Sequence, residues 1–381
     1  MMMKMTHSRM IPWISAVAFC LLLAPMQRAN ANDAAKSSDI PKITLNGLID
    51  MYYMYDFNHP APGGLVAGRA FDVKSDSFSL SLLELNVNRA VTKASPLGFT
   101  ATVTLGKTAD IVNATEPGGV NTYKYLQQLY ATYLLHDTTV DFGKFVTMMG
   151  YEVIESSSND NYSRGLLFTY AIPFYHMGFR VTQPINSALS TQLFLINGWN
   201  DVEDENGGKT IGADLNWTPN SKVNLVLNWL GGDEGSATTG GGIGFTTPGI
   251  RNTQTLDFVG VFNVTSILKL GLNVDYASAK GKGGASSGNW SGEAVYARYQ
   301  MPRGNALALR MEHFEDPNGL RTGFAQDLNE ITFTMEHVWR SDLITRVEFR
   351  HDHAGANGFF NSGGGSSRDQ DTLTFSQVVK F

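Results

Sequence analysis

The stretch LKLGLNVDY, residues 268–276, alternates between apolar and polar side chains. One face carries Leu268, Leu270, Leu272, Val274 and Tyr276, and the other carries Lys269, Asn273 and Asp275. Successive side chains of a β-strand point to opposite sides, so this period of two predicts a strand with one apolar and one polar face.

The same alternation recurs along the chain from residue 43 onward, without a long helical period. In one example, Leu225 and Leu227 oppose Asn224 and Asn228. We predict sixteen strands, near residues 43–55, 77–90, 98–107, 123–135, 139–147, 174–183, 188–198, 209–218, 222–230, 253–264, 267–279, 290–301, 305–315, 326–338, 342–352 and 371–381. Most of them approach the roughly 9–11 residues with which a tilted strand crosses a bilayer.

The polar faces decide how such strands are arranged. An arginine or lysine on the lipid face near the middle of the bilayer costs roughly 2–4 kcal/mol, whereas β-propensity spans only about 1 kcal/mol. The polar faces must therefore line the interior. A single strand of this kind would also suit a soluble sheet, but the full set predicts an all-β fold, a transmembrane antiparallel β-barrel.

Aromatic residues cluster near the ends of the predicted strands. Such residues are typical of the girdles at the two membrane interfaces of outer-membrane barrels. We expect this position for Tyr52, Tyr53, Tyr55, Trp217, Trp229, Tyr276, Trp290, Tyr299 and Trp339.

The connections alternate between short and long. Short ones include residues 136–138, 219–221 and 302–304, whereas long ones, such as 231–252 and 353–370, are rich in Gly, Ser, Asn and Asp. Outer-membrane barrels have short periplasmic turns and long extracellular loops. The sequence predicts this arrangement in the bacterial outer membrane, with both ends of the barrel sequence on the periplasmic side.

The first residues have the features of a secretory signal peptide. A basic start is followed by the apolar residues 11–24 and by Ala29-Asn30-Ala31, the small-residue pattern of a cleavage site. We assign residues 1–31 to the signal peptide, 32–42 to a short periplasmic segment and 43–381 to the barrel.

Composition excludes several classes of protein. The only cysteine, Cys20, lies in the predicted signal peptide, so the mature chain can form neither a disulfide nor a thiolate metal site. The net charge of −6 becomes more acidic when the signal peptide is removed, which argues against nucleic acid as a partner. The pair His351 and His353 is too small a set for a metal centre, and we predict no cofactor.

Several segments resemble a known family. The resemblance is carried by GLIDMYYMYDFN (47–58), VDFGKF (140–145), GYEVIES (150–156), NYSRGLLFTYAIPFYHMGFR (161–180) and NGWN (197–200). They are similar to the OmpL-like β-barrel porin family, which implies a pore but assigns neither a solute nor a selectivity residue. In a closed barrel, strand 371–381 pairs with the first strand. The terminal Phe381 resembles the signature that the outer-membrane assembly machinery reads, so this machinery is an expected partner besides outer-membrane lipid.

A barrel of sixteen strands is wide enough for an aqueous channel. We therefore expect an outer-membrane porin for passive diffusion of small hydrophilic solutes. Loop 148–173 is the longest connection, and we predict that it folds into the lumen as a constriction. The alternative is a loop on the rim, acting as a lid or as a contact between subunits. The candidate residues are Tyr151, Glu152, Glu155, Asp160, Tyr162 and Arg164.

The wall opposite this loop is predicted to be rich in charge. Its inward face carries Arg298, Arg310, Arg346 and Arg350, with Glu312, Glu330, Glu336 and Glu348 among them. The arginines could set a transverse field that orients dipolar solutes, or they could simply pair with the glutamates. The sequence favours neither interpretation.

Two other functions are compatible with the sequence. A barrel enzyme acting on lipids would use His313 or His351 near the outer rim, but no serine is in phase beside them. A sealed barrel could serve adhesion or membrane anchoring. A homo-oligomer is also compatible with the apolar outer face.

Overall fold

The computed structural model describes residues 41–61, 65–116, 118–235, 246 and 248–381. The predicted signal peptide and residues 32–40 of the predicted periplasmic segment lie outside the described residues. Within them, sixteen antiparallel strands form a closed barrel.

Each predicted strand corresponds to an observed one. The barrel strands are β1 (Thr44–Asp56), β2 (Ser77–Arg89), β3 (Leu97–Leu105), β4 (Leu126–Leu135), β5 (Thr138–Val146), β6 (Tyr175–Pro184), β7 (Leu189–Ile196), β8 (Thr210–Asn220), β9 (Val223–Glu234), β10 (Arg251–Asn263), β11 (Leu268–Gly281), β12 (Gly288–Gln300), β13 (Asn305–Asp316), β14 (Gln326–Arg340), β15 (Leu343–Ala354) and β18 (Asp369–Lys380). The hairpin of β16 (Phe360–Ser362) and β17 (Gly365–Ser367) lies in the last long connection and was not predicted. The predicted all-β transmembrane barrel is confirmed.

The barrel closes between its first and last strands. β1 pairs with β18 in an antiparallel register that runs from Leu48 opposite Lys380 to Asp56 opposite Thr372. Phe381 continues the ladder, since its N–H donates to Gly47 O and its carbonyl accepts from Gly47 N, at 3.0 and 2.9 Å. The C-terminal strand is therefore hydrogen-bonded on both sides, by β1 and by β15.

The two faces of the strands are separated as the alternation predicts. On β11, Leu270, Val274 and Tyr276 are exposed on the outer surface, whereas Asn273 and Asp275 are buried. Arg310 and Arg346 are fully buried inside the barrel. The outer surface is an apolar band suited to lipid, and the inner surface is polar.

The prediction of an interfacial position is wrong for two aromatic residues. Tyr52 is buried against Tyr162, with 5.9 Å between the ring centroids, and the Trp290 indole N–H donates to Ala171 O at 3.1 Å. Tyr52 is in phase with the buried Asp50, which places it inside the barrel. Trp217, Tyr276, Tyr299 and Trp339 are exposed on the outer surface.

The connections are sorted by length between the two ends of the barrel. The long ones contain short helices, an α-helix at Lys107–Val112, an α-helix at Val120–Tyr123, a 3-10 helix at Ser156–Ser158 and a π-helix at Leu167–Ala171; a 3-10 turn at Pro302–Gly304 lies between β12 and β13. No helix in the described residues has the length and apolar character needed to cross a membrane.

Side chains of the long connections pack together inside the extracellular half of the barrel. Phe71, Phe168 and Phe174 form one group, with 5.7 Å between the ring centroids of Phe71 and Phe168. Trp199 packs edge-on against Trp290 of β12 at 6.0 Å. This apolar loop cluster fixes several connections to one another and to the wall.

Candidate functional site

The connection between β5 and β6, residues 147–174, lies inside the barrel; we call it the inner loop. At its start, the Gly150 N–H donates to Asp257 Oδ2 of β10 at 3.1 Å, and the Tyr151 N–H donates to Asn273 Oδ1 of β11 at 3.0 Å. The strands that it leaves are β5 and β6, so the chain has crossed to another part of the wall within a few residues.

The middle of the inner loop reaches the closing seam of the barrel. Asp50 of β1 accepts hydrogen bonds from Ser156 Oγ at 2.6 Å and from Tyr162 Oη at 2.9 Å. The Tyr162 and Ser163 N–H groups donate to the Glu348 carboxylate of β15 at 2.6 and 2.9 Å. These contacts satisfy backbone N–H groups that would otherwise be buried without a partner.

Arginines of the opposite wall hold the inner loop from the other side. Arg310 Nη1 donates to Ser163 O at 2.6 Å and lies 2.6 Å from Glu152 Oε1. Arg346 donates to the carbonyls of Ser156 and Asn159 at 2.6 and 2.8 Å. The guanidinium groups thus bind loop carbonyls, which gives the loop a fixed path.

A third such arginine lies further along the same wall. Arg350 Nη1 donates to Arg164 O at 2.7 Å, and the Arg164 guanidinium packs over the Phe71 ring, 4.9 Å from its centroid. The inner loop is therefore linked to the apolar loop cluster as well as to the wall.

Carboxylates complete this network. Glu152 accepts the Gly165 N–H at 2.6 Å, and Glu312 of β13 accepts the Leu166 N–H. Burial raises the pKa of Glu152 above its usual value, although the nearby Arg310 acts in the opposite direction. Removing one partner of a buried ion pair typically costs about 3–5 kcal/mol, so these contacts strongly favour the inward position of the loop.

Five of the six predicted constriction residues fall into two groups, and the sixth, Glu155, stands apart. Glu152, Tyr162 and Arg164 are buried against the wall or the loop cluster, where they anchor the loop. Tyr151 and Asp160 border a cavity of about 290 Å³ on the periplasmic side of the loop. In addition, the half-buried Glu155 accepts a hydrogen bond from Gln127 Nε2 at 2.6 Å.

The predicted wall residues also differ in exposure. The side chains of Arg310, Arg346 and Arg350 are at most 2% exposed, whereas Arg298 is 20% exposed. Their carboxylate partners are Glu152, Glu330, Glu336, Asp160 and Asp352. Glu348 binds loop N–H groups instead. This geometry agrees with paired charges rather than with a row of free arginines.

Sequence reasoning did not single out several residues that hold the inner loop. These are Asp50, Asp257, Asn161 and Asn273. Each lies on the polar face of its strand or within the loop, so the alternation did place the strand residues inside the barrel. What it could not supply was the position of the loop beside them.

The histidines considered for lipid chemistry lie on the outer surface near the rim. His313 Nδ1 is 2.9 Å from Asn329 Oδ1, and His351 Nδ1 is 2.8 Å from Asp371 Oδ1. The partners are an amide and a carboxylate, so neither of these two contacts is the histidine–serine pair of a lipid hydrolase. Within the described part of the chain, no group of three or more His, Cys, Asp or Glu residues is arranged to hold a metal ion.

Comparison with protein families agrees with this architecture. The family described as "Putative beta-barrel porin-2, OmpL-like" matches residues 42–381. This chain belongs to that family. It is therefore an outer-membrane porin channel of the bacterial cell. Comparison with individually curated proteins gave no match.

Solved structures similar to this porin are also outer-membrane barrels. The anion-selective porin from Comamonas acidovorans is 11% identical with a TM-score of 0.61, covering 89% of this chain and 99% of that chain. OmpT of Vibrio cholerae, in a trimer form, is 11% identical with a TM-score of 0.59, covering 90% and 100%. The channel DcaP of Acinetobacter baumannii is 11% identical with a TM-score of 0.57, covering 91% and 99%. At this identity the likeness concerns the fold alone.

Proposed function

We propose that this porin passes small hydrophilic solutes by passive diffusion and that the inner loop narrows the passage. The observation that carries the proposal is the course of the loop. It leaves the wall at β5, contacts β10, β11 and the β13–β15 wall, and reaches β1 at the closing seam. A segment held across the interior in this way reduces the cross-section open to solutes.

The charged groups that remain partly exposed inside the barrel suit polar solutes. Lys269 is 34% exposed, Arg298 is 20% exposed and Arg180 is 19% exposed, and each lies near a carboxylate of Asp160 or Asp141. Both signs of charge are therefore present beside the passage. A lining of this kind favours hydrated, dipolar molecules over apolar ones.

Planar-bilayer recording tests the proposal. Deleting residues 152–164 should raise the single-channel conductance because the segment that crosses the lumen is removed. The control is removal of Gly283 and Gly284, which lie in open surroundings in the β11–β12 connection. An unchanged conductance in the 152–164 deletion would place the constriction elsewhere.

Bilayer recording and an assay of lipid hydrolysis distinguish the porin from a sealed barrel and from a lipid enzyme. The apolar loop cluster in the extracellular half is the observation that favours a sealed barrel with a structural role. A folded barrel that stays silent at all voltages would support that role. Hydrolysis of lipid that is lost in His313→Ala would instead support an enzyme.

We also propose that outer-membrane lipid and the assembly machinery are partners of this chain and that it forms homo-oligomers. The exposed apolar outer face supports contact with lipid or with a second subunit, and a trimer form is known for OmpT of Vibrio cholerae. Native mass spectrometry would give the number of subunits.

Phe381 is the candidate contact for the assembly machinery. Deleting Phe381 should lower the amount of barrel in the outer membrane more than it lowers refolding in detergent.

A further inference from the structure

One row of the inner wall carries carboxylates without basic partners. Asp214 of β8 pairs across the sheet with Asn228 of β9, Asn228 pairs with Asp257 of β10, and Asp257 pairs with Asp275 of β11. The three carboxylates are buried, at 5%, 0% and 1% exposure. None of the ion pairs among the described residues includes them, unlike the carboxylates opposite, which pair with arginines.

The hydrogen bonds in this row are unevenly distributed. Asp257 accepts from Asn228 Nδ2 at 2.6 Å, from Asn273 Nδ2 at 2.7 Å and from the Gly150 N–H at 3.1 Å. By contrast, Asp275 Oδ1 and Asn228 Oδ1 are buried and have no hydrogen-bond partner. The carboxyl groups of Asp257 and Asp275 are neighbours, since the Asn273 side-chain nitrogen donates to Asp257 Oδ1 at 2.7 Å and lies 3.5 Å from Asp275 Oδ2.

Two adjacent buried carboxylates need a positive charge or a proton between them. An ionised carboxylate without a partner is costly in a buried site, and like charges at this separation do not both persist. A shared proton would satisfy the two carboxyl groups alone. Asn228 Oδ1 would still lack a hydrogen-bond partner. The same holds for Thr255 Oγ1, which lies at the next inward position of β10.

We propose that Asp257 and Asp275, together with Asn228, form a binding site for a divalent cation of the Ca²⁺ class. The available ligands are all oxygens, from carboxylates, an amide and a hydroxyl, which is the ligand set that hard cations prefer. Ca²⁺ takes roughly 6–8 oxygens in flexible geometry, so water molecules complete the shell. The cavity of about 290 Å³ lies next to the site, because it is bordered by Gly150, whose N–H binds Asp257, and by Val259, two residues further along β10.

The site lies where the inner loop meets the wall. Gly150 binds Asp257, and Asn228 Nδ2 also donates to Met148 O at 3.3 Å. A cation bound here would let both neighbouring carboxyl groups stay ionised, so that Asp257 remains a strong acceptor for the Gly150 N–H. Cation binding would therefore stabilise the attachment of the inner loop to this part of the wall.

The experiment uses the full mature barrel, folded in detergent and freed of metal with a chelator. Calorimetric titration with Ca²⁺ alone should show saturable binding with a Kd of about 10⁻⁴–10⁻³ M, the range of weaker protein sites. Asp275→Asn should weaken binding by about tenfold or more, because it removes a charged ligand. Without Ca²⁺ this variant should unfold at the same temperature as the wild type or higher, because it also removes an unpaired charge.

The matched control is Asp141→Asn, which neutralises another inner-wall carboxylate that has a partner, Arg180 at 2.8 Å. It should retain Ca²⁺ binding. If Asp275→Asn failed to fold, Asp257→Asn and the wild-type titration would still decide the question. The proposal is overturned if the wild type shows no saturable binding or if the variants bind Ca²⁺ equally well. It is also overturned if Ca²⁺ leaves the unfolding temperature of the wild type unchanged.

Discussion

Arg310 of β13 and Glu152 of the inner loop form a buried ion pair, with 2.6 Å between Nη1 and Oε1. Arg310 also contacts Glu330 of β14 at 2.7 Å, so one guanidinium joins two wall strands to the loop. The pair lies far from β5 and β6 around the barrel, and it keeps the loop on the opposite wall.

Arg310→Met should destabilise the barrel by about 3–5 kcal/mol, because the buried Glu152 loses its ion-pair partner. The double variant with Glu152→Gln should recover part of this loss, since it no longer buries an unpaired charge. Denaturant unfolding in detergent measures both. The control is Arg298→Met, whose partly exposed ion pairs should contribute only about 0–1 kcal/mol. Equal losses in the two single variants would contradict the anchoring role of Arg310.

Ion selectivity should respond to the residues beside the cavity under the inner loop. Lys269 Nζ lies 2.7 Å from Asp160 Oδ1. Lys269→Ala should shift the reversal potential in a salt gradient towards cations, and Asp160→Asn should shift it towards anions, because each removes one sign of charge from the passage. Lys222→Ala, at an exposed periplasmic turn, is the control and should leave the potential unchanged. Shifts in the same direction for both cavity variants would contradict this placement of the passage.

The pH dependence of stability should reveal the buried Asp201 in the β7–β8 connection. Burial, followed by the nearby Glu234 and Glu116 carboxylates, raises the pKa of Asp201 to about 9. Because the folded state holds this proton more tightly than the unfolded state, stability should fall as the pH rises from about 4 towards 9. Thermal unfolding in detergent should show a flatter profile for Asp201→Asn over this range.

The control for this effect is Asp204 in the same connection. Burial acts to raise its pKa, but hydrogen bonds from Lys209 and two backbone N–H groups together leave the pKa lowered. Its contribution should be present at neutral pH and lost as the pH falls through the acidic range, the opposite direction. A wild-type profile that does not decline above pH 4 would argue against a buried, protonated Asp201.

Gly47→Ala should weaken the closing seam. A Cβ at this position would lie 2.3 Å from Glu84 O and 2.8 Å from the Phe381 ring, distances that require the backbone to move. We expect a loss of about 1–3 kcal/mol, as for other overpacked positions. Gly364→Ala, where a Cβ meets nothing within 4 Å, is the control. Unfolding midpoints in detergent compare the two, and similar midpoints would show that the seam can adjust.

The barrel could be predicted from the sequence because each strand obeys a local rule. On β11, the side chain of Leu270 must face lipid and that of Asp275 must face the lumen. These two orientations follow from the sequence of β11 alone. The errors at Tyr52 and Trp290 came from using position near a strand end instead of phase. Tyr52 shares its face with Asp50, and this signal was present in the sequence.

The candidate site was only partly predictable. The length of residues 148–173 and their charges indicated a loop of functional interest. Some residues of this loop anchor it, and others border the cavity. The role of each residue depends on its contacts with β1 and β10–β15, which are distant in the sequence. Tyr162 and Asp160 are only two residues apart in the sequence, yet Tyr162 hydrogen-bonds to Asp50 and Asp160 lies beside Lys269.

The seam between β1 and β18 sets an order for folding. All other neighbouring strands of the barrel are consecutive barrel strands along the chain, with only the β16–β17 hairpin inserted between β15 and β18, so they can pair between nearby residues. Leu48 and Lys380, in contrast, pair across nearly the whole sequence. Contacts between residues that are this far apart along the chain are slow to form. Until this last ladder is made, both edge strands present unpaired N–H and C=O groups to any other chain. Newly made molecules therefore need protection from aggregation until the cylinder is complete.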